Sequence, residues 1–260
     1  MNPKSTVSQS PFSMDNHPAS HINKRKDLLL IGLLSTASWC ALWVLTDHTP
    51  NTQSFSLNPI NAEDSQGFML FLGWTFMIGA MMLPTTLPLI AIFSRMTKQR
   101  ANSITLQILL ILGYLTPWVF SGFIFVTALH WLDPFVMQIE AWIFGATILI
   151  AAGLYQFSAL KYACLKQCRS PLSFVMRYWQ GKNDRKEAFQ LGTAHGLFCL
   201  GCCWLLMLTM MVTGLHHLGW MFLLGLAMAI EKNIPRGVII TKPLGAIGIV
   251  WGLTLIVNHI

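Results

Sequence analysis

The stretch LGTAHGLFCLGCCWLLMLTMMVT, residues 191–213, decides how this chain folds. It contains no charged residue, and it exceeds the roughly 20 apolar residues that a helix needs to cross the hydrocarbon of a bilayer. Cys199, Cys202 and Cys203 stand in its middle, with His195 before them and Met207, Met210 and Met211 after them. Soft sulfur in a water-poor helix points to metal or thiol redox chemistry. Taking Cys199 as reference and about 100° per residue, His195, Cys202, Cys203 and Met210 all fall within about 60° of it, on one face. If the helix is entered from the cytoplasm near 191, the cysteines lie roughly 12 to 18 Å along it, in the inner half or near the middle of the bilayer.

The whole chain agrees with that reading. Its 260 residues are 54% hydrophobic and 10% charged, whereas a soluble domain carries roughly 25% charged residues. Seven apolar segments are long enough to consider as crossings: 28–46, 68–93, 104–128, 135–160, 191–213, 215–230 and 243–258, the last two being the shortest. The expected fold is therefore an all-α, polytopic transmembrane helix bundle of about seven spans over 24–260. A cytoplasmic N-terminus places Lys4, Lys24, Arg25 and Lys26 inside, with the basic residues of 95–100, 161–186 and 232–242, which together are all 17 Lys and Arg. The intervening external loops hold acids and histidines but no Lys or Arg, as the positive-inside rule requires. The net charge of +7 thus reads as orientation, and no nucleic-acid partner is implied. Residues 1–23, rich in Ser, Asn and Pro, are expected to form a disordered cytoplasmic tail. Residues 161–190 are expected to be a cytoplasmic loop, in which PLSFVMRYWQGK could lie on the inner leaflet as an interfacial helix.

Two further sulfur groups accompany the first. In WTFMIGAMMLPTTLP, residues 74–88, Met77 and Met81 are four apart and share a helical face, with Met82 beside them. Pro84 and Pro88 should kink this segment and free carbonyls for other helices to satisfy, while Gly73, Gly79 and Ala80 allow close approach. A methionine face from this segment meeting the Cys199/Cys203 face would form a thiolate and thioether pocket, a donor set that favours Cu(I). In KYACLKQCRSP, Cys164 and Cys168 also share a face, where Lys161, Lys166 and Arg169 should favour thiolate, so this pair could serve as a port. Each group has a packing reading as well, since Cys and Met are common core fillers, and Cys40 alone reads as packing. Glu140 and Glu231 are carboxylates within or bordering the later helices; Glu231 beside Lys232 reads as a helix anchor at the boundary.

Five motifs taken in order, WTFMIGAMMLPTTLP, GYLTPWVFSG, AGLYQFSALKYACLKQCRSP, GLFCLGCCWLLM and AMAIEK, resemble a bacterial family of integral membrane proteins described as metal-binding and sometimes labelled copper chaperones. The resemblance spans about 68–240 and implies a multi-pass protein of the cell inner membrane. It marks Trp74, Met77, Met81, Met82 and Pro84; Gly113, Tyr114 and Trp118; Gly153, Tyr155, Gln156, Lys161, Cys164, Cys168, Arg169 and Pro171; Gly201, Cys202, Cys203, Trp204 and Met207; and Glu231 with Lys232. This chain departs from the family pattern at GLHHLGWM, where His216 and His217 replace Met and Asn and would also suit Zn, Ni or Cu(II).

The expected function is thus Cu(I) binding by Cys199, Cys202, Cys203, Met77 and Met81, with Cys164, Cys168, His195, Met207 and Met210 as further donors. Zinc is a second candidate metal. Besides the lipid bilayer, a metal-donor or metal-acceptor protein is the expected partner, and no turnover is required. Two other readings stay open: a membrane thiol–disulfide oxidoreductase working between Cys164/Cys168 and the triplet, and a non-catalytic assembly subunit. No nucleotide loop, Ser/His/Asp set or HExxH helix is present to suggest a hydrolase or pump.

Overall fold

A computed structural model describes residues 18–47, 65–136, 141–212 and 218–259. Among the described residues the chain is helical throughout and contains no strand. Helix α1 is Pro18–Asp47 and α2 is Ser65–Met77, continued by a π turn at Ile78–Met82 and by the short helices α3 (Leu83–Thr85) and α4 (Leu87–Thr97). Then come α5 (Ser103–Val136), α6 (Ala141–Tyr155), α7 (Ala159–Cys168), α8 (Pro171–Tyr178), α9 (Asp184–Val212) and α10 (Leu218–Asn233). A 3-10 turn at Gly237–Ile240 leads into α11 (Thr241–His259).

Among the described residues four helices are long and apolar enough to cross a membrane: Gly67–Thr85, Ser103–Leu129, Asp184–Met210 and Gly237–His259. A fifth crossing follows if the pair Trp142–Tyr155 and Ala159–Cys168, bent by 66°, is one broken span. The apolar part of α1, Leu29–Leu45, and the 16-residue α10 are shorter. The count is therefore four to five where the sequence suggests seven. Large apolar side chains face outward on many elements, among them Leu33, Ile104, Phe120, Trp131, Leu160 and Val257.

The central contact is between α5 and α9. Gly192 lies directly on the carbonyl of Leu110 and Gly196 on that of Tyr114, so the two backbones touch where any side chain would hold them apart. Residue numbers rise together along this contact, so α5 and α9 run parallel. Helices α6 and α11 instead run antiparallel, with Gly153 on Gly245 and Gly252 on Ala146. Asn183 and Glu187 fix the start of α9. The Asn183 side-chain Oδ1 accepts from the Lys186 amide at 3.4 Å, and the Glu187 carboxylate accepts from the amides of residues 180–183 at 2.7–3.2 Å.

The expected kink in 68–93 takes a specific form. Pro84 and Pro88 each sit in the first turn of a new short helix, where the missing N–H costs little, and Thr86 is the break between them. Carbonyls freed by the π turn and the break find partners. Ser35 of α1 donates to Ala80 O at 2.9 Å, Thr85 to Met82 O at 2.8 Å and Thr86 to Leu83 O at 2.7 Å.

The segment expected as a loop over 161–190 is largely helical. The fourth apolar segment breaks after Tyr155, where Ser158 caps α7 by accepting from the Lys161 amide at 3.2 Å. Helix α7 turns back against α9 instead of leaving the bundle. Helix α8 occupies the stretch read as interfacial, burying Phe174 and Val175 and exposing Leu172 and Met176. The disordered tail expected over 1–23 lies outside the described residues up to 17, and α1 begins at Pro18. Cys40 is exposed on α1, not packed inside.

Candidate metal centre

The face read from the α9 sequence turns inward as one buried strip. His195, Cys199, Cys202, Cys203, Met207 and Met210 are all at most 5% exposed. Cys202 and Cys203 fold their thiols back onto the same acceptor, donating to Cys199 O at 3.1 and 3.0 Å. That shared carbonyl gathers the sulfurs, and the three thiols lie within 4.8 Å of one another. A metal–thiolate bond of about 2.3 Å sets sulfurs on one ion about 4 Å apart, so a small contraction suffices to bind one.

The thioether partner is Met82, whose sulfur lies 3.7 Å from Cys203 Sγ. Met81 instead packs on Gly225 of α10, where an added Cβ would stand 3.4 Å from its sulfur, and Met77 is fully buried before the π turn. The thioether set against Cys203 is thus Met82, next to the expected Met77/Met81 face. The reason is the π turn, which inserts a residue into the helical phase so that position 82 arrives where position 81 would stand in a regular α-helix.

Sequence reasoning treated Cys164 and Cys168 as a separate group, whereas the bend at 156–158 returns α7 to α9. The bend brings Cys168, at the end of α7, into the neighbourhood of Cys199 and Cys202, close enough to interact with both. Cys164 covers Gly201, where an added Cβ would be 2.7 Å from its sulfur. Tyr155 donates to the carbonyl of the same Gly201, so α6 and α7 together clamp the middle of the cysteine motif. Cys168 is half-buried, and the triplet is fully enclosed.

Tyr114 and Lys232 complete the centre. The Tyr114 hydroxyl lies 3.1 Å from Cys199 Sγ and donates to Met82 O at 3.3 Å, a position set by the close α5–α9 contact. Lys232, near the end of α10, is 7% exposed, and its ammonium donates to Cys199 Sγ at 2.9 Å. It also stands 3.4 Å from Met82 Sδ and 3.7 Å from Cys203 Sγ. Lys161, Lys166 and Arg169 are the cations expected beside Cys164 and Cys168; the cation in contact with the triplet is Lys232. Lys161 is fully buried in an ion pair with Glu231 at 2.9 Å and also donates to Gln156. Arg169 donates to Glu231 O at 2.8 Å and to Pro235 O, tying α7 to the turn after α10.

His195 sits one turn before Cys199, its ring 5.8 Å from Tyr114 and 5.5 Å from Phe174, and its Nδ1 has no hydrogen-bond partner. Glu140, His216 and His217 lie outside the described residues, as does the Met211 side chain. The six cysteines are free thiols.

Fold and centre together define a helical bundle with an enclosed cluster of sulfur donors. The chain belongs to the PpoB2 family, described as copper chaperones, whose pattern matches residues 71–255. The match takes in the π turn, the cysteine pair of α7, the cysteine triplet of α9 and Lys232. No curated relative and no solved structure matches the chain.

Proposed function

We propose that this chain is a multi-pass protein of the cell inner membrane that binds Cu(I) as cargo and passes it to or from a partner protein. One observation carries the reading: thiols of α9 and the thioether of Met82 converge in a single enclosed place. Thiolate and thioether sulfur suits Cu(I), whereas Mg and Ca prefer oxygen, and zinc is the second metal that the thiols would accept. Cys199, Cys202, Cys203 and Met82 form the proposed holding site. Met77, Met81, Met207 and Met210 line the same core, and His195 offers an imidazole one turn away.

Cys168 and Cys164 supply the path. Cys164 packs on Gly201 within the triplet's motif and Cys168 is half-buried, so α7 sets two more sulfurs between the triplet and the surface, along which an ion can exchange. We place this end of the bundle at the cytoplasmic face, with the N-terminus on the same side. The outward apolar side chains, the parallel α5/α9 pair and the antiparallel α6/α11 pair support alternating crossings of this kind. Seven crossings remain our topology, with α1 and α10 as the short members.

Protein purified in detergent under reducing conditions should carry close to one copper per chain by elemental analysis. Cys202→Ser combined with Cys203→Ser should lose most of it. Full copper retention by that double variant rejects the holding site.

A further inference from the structure

Lys232 places a full positive charge where the sulfur donors converge. Its Nζ is 2.9 Å from Cys199 Sγ, 3.4 Å from Met82 Sδ and 3.7 Å from Cys203 Sγ. Those are the atoms that the reading above assigns to the cargo ion, and this inference rests on that reading. An ammonium and a metal ion cannot share the nest. We propose that Lys232 is a displaceable internal cation: it fills the sulfur nest in the metal-free protein, swings out when the ion enters, and returns to help expel it.

Three features favour movement over a fixed structural role. First, Lys232 donates to sulfur only, a soft and weak acceptor, while its neighbour Glu231 is already paired with Lys161. Second, it stands at the end of α10, and the next four residues, 233–236, are exposed. A long flexible stem there lets the charged head reach water while the methylenes stay in apolar surroundings. Third, a singly charged ion takes over both the place and the charge of the ammonium. A divalent ion would bring a second charge into a site shielded from water, which is costly unless it is paired. The nest is therefore matched best to soft monovalent ions, Cu(I) and its analogue Ag(I), and Zn(II) fits it less well.

The test uses the full-length wild-type protein in nanodiscs, metal-free and loaded with Ag(I). Loading is measured by elemental analysis, and modification of Lys232 by a water-soluble N-hydroxysuccinimide ester is read by peptide mass spectrometry. Lys232 should be protected without metal and label about tenfold more when Ag(I) is bound, with Zn(II) producing no such change. Bound Ag(I) with Lys232 still protected overturns this inference and leaves the binding site standing; failure to bind Ag(I) or Cu(I) at all overturns both. Lys232→Gln and Lys232→Leu give an independent readout, the transfer of Cu(I) to a chelator. Both should release bound Cu(I) about tenfold more slowly than the wild type. A lysine that merely supports the fold predicts the opposite, faster release, and wild-type or faster rates in either variant overturn the proposal.

Discussion

Glu231 and Lys232 are adjacent in sequence and both buried, yet they serve two differently built regions. Glu231 belongs to a matched set, in which Lys161 supplies its counter-charge, and Arg169 holds the backbone at Glu231 and at Pro235. Lys232 belongs to the sulfur nest, where its contacts are two thiols and a thioether and no carboxylate. A buried charge with a paired partner is expensive to break and so fixes geometry. A buried charge held only by sulfur can be exchanged for another cation. One turn of α10 thus combines a rigid anchor with a replaceable ion, and the anchor holds the replaceable part in register with α9.

The contrast can be broken by substitution. Glu231→Gln leaves the Lys161 ammonium buried without its partner and should cost about 3–5 kcal/mol of stability, seen as a large fall in the unfolding midpoint in detergent. Replacing Lys161 by Met in the same chain should restore much of that loss, since no lone charge remains. A Glu231→Gln variant as stable as wild type would mean that the two regions do not differ in the way described. A smaller effect sharpens the other side. Met82→Leu keeps volume and apolarity but removes a thioether, so it should leave stability nearly unchanged and weaken Cu(I) binding by about tenfold, or about 1.4 kcal/mol, in chelator competition. Met81→Leu should do neither. Equal effects at positions 81 and 82 would contradict the phase set by the π turn.

Much of this arrangement was legible in the amino-acid sequence. Helical periodicity alone places His195, Cys199, Cys202, Cys203 and Met210 on one strip, because α9 is regular there and the arithmetic of a straight helix holds. The same arithmetic fails at 78–82, since a single added residue in a π turn leaves no compositional mark and shifts every later side chain. Cys168 was recognisable as a donor but not as a neighbour of Cys199, because its position depends on a 66° bend between α6 and α7. Gln156 and Ser158 hinted at that bend, the one as a polar residue in an apolar run and the other as a helix cap. Lys232 was misread for a physical reason: a charge at the end of an apolar helix ordinarily reaches out to water. Here the close approach of α9 and the π turn gives it sulfur instead. Tyr114 carried the signal that tyrosine in an apolar helix must find a partner for its hydroxyl, without showing which.

X-ray absorption at the copper edge of the loaded wild-type protein tests the central claim most directly. A sphere of sulfur alone, at about 2.3 Å, that collapses in the Cys202→Ser and Cys203→Ser double variant is the predicted result. Copper bound by nitrogen or oxygen at about 2.0 Å, with a spectrum unchanged in that variant, would contradict it.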